Sequence, residues 1–266
     1  MEEITESEIT EQAAELGIQS GGTLLVHASL RSVGRVKGGA VSVMSALRHV
    51  LGPDGTLVVP TFTSDNSDTS AAHRKQTHGL SEEDRIAFWD SMPAFDPATT
   101  PSTEMGALAE TVRSQADSRR SVHPQTSFAA LGAQAAKIID GHHPDCHLGE
   151  HSPLARLYDL QAQVLLLGVG FDRCTAFHLG EYRVANPPRR TYRCVVQRDG
   201  LRQWWEYTDV ALDDSDFGRL GADFEGASAS ESSRTGLVGS AQSRLLSFVD
   251  AVDYAQDWLA VHRVTA

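Results

Sequence analysis

Basic residues are scarce in this chain: 23 Lys and Arg stand against 35 Asp and Glu, a net charge of −12 over 266 residues. A field of that sign repels nucleic acid and anionic membrane, which excludes both as partners, and it fits a polycationic ligand. Cysteine is scarcer still. Cys146, Cys174 and Cys194 are an odd count at wide spacing with no CxxC, which excludes a disulfide framework and gives no support to a structural zinc. No apolar run approaches the roughly 20 residues of a membrane span. The acidic opening "MEEITESEIT" lacks the basic and apolar regions of a secretion signal, so a soluble, cytoplasmic protein is expected. G-x-G-x-x-G, P-loop and HExxH patterns are missing, as are repeats and low-complexity tracts.

What is present reads as α/β. The apolar fraction of 41% shows no shift that would mark a second core, so residues 1–266 are expected to form a single domain. In "ITESEITEQAAELGIQSGG", Thr5 and Glu8 have capping-box form before Ile9, Ala13 and Leu16 recur at helical spacing. "TLLVHASL" reads as a buried strand, "GGAVSVMSALRHVLG" as a helix with Val41, Met44, Leu47 and Leu51 on one face, and "GTLVVPTF" as a second buried strand. That order is a βαβ unit with parallel strands. A long polar insert runs from Thr63 to Pro101 and has the character of a functional flap. "EMGALAETVRS" and "AQAAKIIDG" read as helices and "QVLLLGVG" as a third buried strand. "RTYRCVVQRDGLRQWWEYTDV" reads as a β-hairpin turning at "DG", "EGASASESSRTG" as a loop, and "SAQSRLLSFVDAVDYAQDWLAVH" as one long amphipathic helix.

Four stretches carry chemistry. In "LLVHASLRSVG", His27, Ser29 and Ser32 fall at the carboxyl end of the first strand, where parallel sheets bind ligands. Arg31, Gly34, Gly38 and Gly39 follow, so the segment suits either close approach to an anion or an ordinary strand-to-loop turn. In "GVGFDRCTAFHLGEYR", His178 and Glu181 share one face of a helical turn, which is the arrangement of a general base and its orienting carboxylate; a surface His beside a surface Glu is the plainer alternative. "RRSVHPQTSFAALG" gathers two arginines, two serines and His123 before an apolar helix start, as a cap or as a basic patch around a phosphate. "GHHPDCHLGEHSPL" packs His142, His143, Cys146, His147, Glu150 and His151 together. Pro144, Gly149 and Pro153 break any helix that would align them on zinc, so a polar surface loop is expected.

In order along the chain, "LLVHASLRSVGRVKGGAVSVMSALRHVLGPDGTLVVPTFT", "FDPATTPSTEMGALAETVR", "RSVHPQTSFAALG", "SPLARLYDLQAQVLLLGVGFDRCTAFHLGEYR" and "GLVGSAQSRLLSFVDAVDYA" resemble the aminoglycoside 3-N-acetyltransferase family, antibiotic acetyltransferases outside the GNAT fold. The resemblance covers nearly the whole chain. It implies a three-layer α/β/α sandwich with a mostly parallel central sheet, an added hairpin and the long insert, and direct acetyl transfer from acetyl-coenzyme A without an acyl-enzyme or a metal. Under it, Ser29, Leu30, Arg31, Ser32, Val33 and Gly34 hold the coenzyme pyrophosphate, with Ser121, Val122 and Ser127 assisting. His178 is the catalytic histidine, supported by Glu181, with His27 near the reaction centre. Asp65, Asp68, Glu104, Asp172 and Glu225 are the acidic candidates for the antibiotic. It is compatible with a monomer or a homodimer. An acetyltransferase for another amine in biosynthesis shares this chemistry; a zinc hydrolase built on the loop from His142 to His151, or a protein that only sequesters the cationic drug, would not.

Overall fold

A computed structural model describes residues 3–63, 65–227 and 232–263. Its first helix, α1 (Glu6–Leu16), begins with the Thr5–Glu8 capping box. β1 (Thr23–Ala28), a four-residue helix α2 (Leu30–Val33), α3 (Gly39–Leu51) and β2 (Thr56–Pro60) form the expected βαβ unit, and β1 and β2 are parallel. The polar insert contains α4 (Ala71–Thr77) and α5 (Glu82–Ser91), capped by Ser70 and Ser81. Then come α6 (Gly106–Arg113), β3 (Arg119–Arg120), β4 (Phe128–Gly132), α7 (Ala135–Ile139), α8 (Pro153–Asp159) and β5 (Gln163–Leu167). After a short 3-10 turn at Phe171–Arg173 follow α9 (Phe177–Arg183), β6 (Arg189–Arg198), β7 (Leu201–Val210), α10 (Phe217–Ala227), β8 (Ser233–Val238), β9 (Ala241–Ser247) and α11 (Phe248–His262).

The central sheet has seven strands in the order β3-β4-β2-β1-β5-β9-β8. β2, β1 and β5 are neighbours in parallel, β3 and β8 point the same way, and β4 and β9 run against them. Alternation along the strands divides the core. Leu24, Val26, Leu57 and Leu165 pack with α1, α3 and α6 on one face, while Leu25, Val58, Val164 and Leu166 pack with α7, α8, α9 and α11 on the other. His27 shares the parity of Leu25, so it faces the layer that contains α9. β6 and β7 form a separate two-stranded sheet that turns at Asp199 and Gly200, whose φ of 52° and 76° fit the two-residue hairpin. The insert lies against this hairpin: Asn66 accepts from Val195 N–H at 2.7 Å, and Ser67 Oγ donates to the Arg193 carbonyl at 2.7 Å.

Several local expectations change. Val41 is 59% exposed; the buried stripe of α3 is Val43, Met44, Ala46, Leu47 and Leu51, because a residue two before Val43 points the other way. The segment after His123 enters β4 rather than a helix. The tail is strand β9 followed by helix α11, and Ser247, which accepts from Asp250 N–H at 3.3 Å, caps the boundary. In the expected loop "EGASASESSRTG", Ser233 to Gly236 belong to β8, and 228–231 lie outside the described residues.

α9 approaches α11 closely at Gly180, where an added Cβ would lie 2.9 Å from both Ala255 Cβ and the Gln256 backbone nitrogen. Gly180→Ala is therefore expected to destabilise the protein by about 1–3 kcal/mol, as overpacking does in a filled core, even though alanine favours helix. A thermal melt of the variant checks this; an unchanged or raised midpoint would show that the two helices separate freely.

Candidate active site

α9 presents His178 and Glu181 on one face, with His178 near enough to His27, close to the carboxyl end of β1, for its charge to act on that ring. Glu181 is 4% exposed, so its carboxylate must be fully partnered to be charged there. Its Oε2 accepts from His178 Nδ1 at 2.5 Å, and its Oε1 accepts from the Asp213 backbone N–H at 3.0 Å and from Arg263 Nη1 at 2.5 Å. The His178 ring packs on Phe217, with centroids 4.7 Å apart. With Nδ1 donating to a carboxylate, Nε2 carries the lone pair: the pair is a base and its orienter.

His27 is buried at the end of β1, and its Nε2 has no hydrogen-bond partner among the described residues. Burial, with the charges of His178 and Arg173 adding to it, pushes its pKa down to about 3. It is a neutral imidazole that can donate or accept a hydrogen bond but cannot retain a proton taken from an ammonium ion.

The turn after β1 is anchored by Ser29 N–H, which donates to the Leu167 carbonyl at the end of β5 at 2.9 Å. Ser29 Oγ caps α2 and accepts from Ser32 Oγ at 3.0 Å, while Arg31 and Ser32 face solvent, Leu30 is half-buried and Val33 is buried. Gly34 has φ +100°, and a Cβ there would meet Ser240 Oγ at 3.1 Å and Ile4 Cδ1 at 3.2 Å. Ser121 and Ser127 are buried and engaged internally. Ser121 Oγ accepts from Phe128 N–H at 2.9 Å, and Ser127 Oγ lies 3.0 Å from Thr61 Oγ1 and from Arg120 Nε. Of that trio only Val122 is exposed.

The acidic candidates scatter. Asp68 pairs with Arg193 at 3.2 Å, and burial raises its pKa. Asp65 follows β2 within the insert. Exposed Glu104 sits at φ 59° two residues before Gly106, whose added Cβ would lie 3.6 Å from the Ala28 carbonyl; its turn is thus beside the end of β1. Exposed Asp172, in the turn before α9, pairs with Arg173 at 3.2 Å. Glu225 is tied to Arg244 on β9 at 2.8 Å and accepts from Thr235 on β8. The acids that come closest to the base are others, in "LDDSD" after β7. The Asp213 carboxyl is held below its ordinary range by the Ser215 side chain first, with Arg263 and His178 contributing, and Asp216 pairs with Arg263. Neither these nor Arg263 follows from local spacing. The nearest signal is the run of three aspartates in four residues leading into α10.

The histidine-rich stretch is a loop, and His143, Asp145, Glu150 and His151 are exposed on it as expected, but part of it is core. His142 and His147 are buried, and their rings lie 4.8 and 4.6 Å from that of buried His123. His142 Nε2 meets the carbonyls of Cys146 and His147 at 3.0 Å, and His147 Nε2 meets Tyr207 Oη at 2.7 Å. Carbonyl and hydroxyl partners suit neutral rings, not zinc ligands. Burial lowers the pKa of His142 to about 4 and pushes those of His123 and His147 well below the ordinary value. Exposed His143 and His151 stack on each other outside the cluster. Among the described residues no three His, Cys, Asp or Glu side chains converge as a metal-binding group, and no helix is long and apolar enough to cross a membrane.

A family model described as aminoglycoside 3-N-acetyltransferase matches residues 25–260. The chain is 39% identical over 265 residues to the SPbeta prophage-derived aminoglycoside N(3')-acetyltransferase-like protein YokD of Bacillus subtilis, covering 96% of this chain and 92% of that protein. The crystal structure of YokD superposes with a TM-score of 0.92 over 100% of this chain and 97% of its own. Identity to aminoglycoside N(3)-acetyltransferase III of Pseudomonas aeruginosa is 33%, with 96% and 93% covered. Similar solved structures include AAC-VIa bound to sisomicin, at 29% identity and TM-score 0.84 with 100% of both chains covered. AAC-IIIb in binary complex with CoASH is similar at 27% identity and TM-score 0.82, with 97% of both chains covered.

Proposed function

Because the chain belongs to the aminoglycoside 3-N-acetyltransferase family, we propose that it moves the acetyl group of acetyl-coenzyme A to the 3-amino group of an aminoglycoside, with His178 as general base. The observation that carries this reading is the His178 Nδ1–Glu181 contact, which leaves Nε2 as the acceptor. The relatives with sisomicin and with CoASH bound support the two substrates.

An aminoglycoside amine is mostly protonated at neutral pH. Acidic side chains around the cleft attract the cation, and His178 Nε2 takes one proton from it. The freed amine attacks the thioester carbonyl, a C–N bond forms, the C–S bond breaks, and the thiolate leaves to be protonated as free coenzyme A. His27, neutral at the end of β1, stands in the cleft beside His178 and suits a hydrogen bond to the substrate rather than proton removal. The Ser29 to Gly34 turn holds the coenzyme through its backbone and exposed Arg31 and Ser32. Ser121 and Ser127 act by shaping the neighbouring loop, and of the acids Glu104, Asp172, Asp213 and Asp214 best fit the cation. Asp68 is paired with Arg193 on the hairpin and Glu225 with Arg244 on β9, so both are already neutralised and fit the cation less well, and Asp65 lies in the insert with Asp68. The chain works as one domain in the cytoplasm, where acetyl-coenzyme A is available, and its outcome is antibiotic resistance.

Thiol release from acetyl-coenzyme A across aminoglycosides with and without a 3-amino group tests this. Turnover confined to those that carry it is expected; no turnover across the panel, with turnover of a smaller amine, moves the activity to biosynthesis. The aminoglycoside KM should also rise steeply with salt, since exposed charges are screened beyond roughly 8 Å at physiological ionic strength, while an uncharged amine should respond little. A flat KM between low and high salt would rule out an acidic cleft.

A further inference from the structure

We propose that Arg263 is a positioning residue for this reaction, fixing the Glu181 carboxylate that orients His178. The inference rests on reading His178 as the base, and it adds a residue 82 positions away from Glu181 in the chain.

Arg263 follows the last turn of α11 and is partly buried. Its planar guanidinium binds two parts of the site at once. Nη1 donates to Glu181 Oε1 at 2.5 Å, Nε donates to Asp216 Oδ2 at 2.8 Å, and Nη2 donates to Asp216 Oδ1 and to the Asp213 carbonyl. Asp213 in turn gives its N–H to Glu181 Oε1. Base and cation therefore hold opposite oxygens of one buried carboxylate, and the segment carrying Asp213 and Asp216 is closed onto the same group. With both oxygens engaged the carboxylate cannot rotate, so His178 Nδ1 stays the donor and Nε2 the acceptor. A fork of fixed donors does this; the single ammonium of a lysine cannot hold Glu181 and Asp216 in the same plane. Arg263 also lies over the Phe217 ring at 5.8 Å, the ring on which His178 packs.

The arrangement has an electrostatic consequence. Glu181 is nearly excluded from water, so the cation it touches offsets much of its field. Without that cation the full field falls on His178 and favours the imidazolium over the neutral base that the reaction needs. Among the described residues, Asp213 and Asp216 before α10, His27 on β1 and His147 before α8 also face the pair, with Arg173 before α9 acting on His27, and all remain when Arg263 is changed.

The experiment uses the full chain as wild type, Arg263→Met, Arg263→Gln and Arg263→Lys. The His178 ring resonance, assigned by its loss in His178→Ala, is titrated by NMR without substrates, and kcat and KM are measured against pH. In Arg263→Met the ring's titration midpoint should rise by about one pH unit, the low end of the effect of an adjacent charge, and the acid limb of kcat should rise with it while the acetyl-coenzyme A KM stays nearly constant. Arg263→Lys should bring the midpoint back toward wild type with kcat still reduced. A midpoint unmoved in Arg263→Met makes Arg263 a structural pin and overturns the proposal. If that variant fails to fold, a wild-type midpoint in Arg263→Gln overturns it equally. A midpoint that moves while the acid limb of kcat does not follow leaves the positioning intact and overturns His178 as the base.

Discussion

Replacing His178 with alanine is expected to lower kcat by about 10²- to 10⁴-fold, the contribution of a positioned general base, with KM for both substrates changed only a few-fold. The size follows from the geometry. The imidazole is oriented by a buried carboxylate at 2.5 Å and backed by Phe217, so its lone pair is preorganised. His27 is the rival, but a ring pushed down to about 3 is too weak a base to hold an ammonium proton during attack. Glu181→Gln should lose less than His178→Ala, because the imidazole remains while its orientation and charge support weaken. The decisive measurement is single-turnover acetyl transfer in His178→Ala and His27→Ala, with circular dichroism confirming the fold. If His27→Ala abolishes transfer and His178→Ala leaves it nearly intact, the assignment made here is reversed.

The parts of this site that were legible in the sequence are local ones. His178 and Glu181 are three apart, so a single helical turn joins them, and the end of a buried strand places His27, Ser29 and Ser32 where parallel sheets bind ligands. The "DG" turn fixed the hairpin register by its demand for positive φ at both positions. What escaped was long-range. Arg263 and Asp213 meet Glu181 only because α11 and the segment after β7 fold back onto α9, and no spacing encodes that. The boundary between β9 and α11 was hidden because β9 carries only Ala241, Leu245 and Leu246 as apolar residues, too few and too unevenly spaced to show a strand's alternation before the helix begins. The S-x-x-D cap at Ser247 and Asp250 was the available signal. The histidine-rich stretch looked like surface because its prolines and glycines suggest a loop. It is a loop, yet the hairpin covers it: Tyr207 reaches His147, and Asp209 accepts the His147 N–H at 2.7 Å and the Tyr182 hydroxyl.

That burial leads to the second large effect: the protein should lose stability steeply as pH falls below about 6.5. His27, His123, His142 and His147 are all buried with depressed pKa values, chiefly through burial, so in the folded state they remain neutral well below 6.5. In the unfolded chain each takes up a proton near pH 6.5. The unfolded state then binds more protons than the folded one, so stability is present above that pH and falls as pH drops toward the folded values of about 3 for His27 and about 4 for His142. One such histidine gives a slope of about 1.4 kcal/mol per pH unit, and four acting together give about 5–6 kcal/mol per pH unit, set against a total of about 5–15 kcal/mol for an ordinary domain. Unfolding within roughly one to three units below pH 6.5 is therefore expected, with the carboxylates adding to the loss only at the lower end of that range. Chemical denaturation at closely spaced pH values between 7.5 and 5 measures the slope. His142→Gln, which keeps an amide able to bond Ser121 and the His147 carbonyl but cannot titrate, should reduce it by about a quarter. A slope near zero in the wild-type protein would mean that these rings protonate inside the folded state, and the neutral, carbonyl-bonded cluster described above would be wrong.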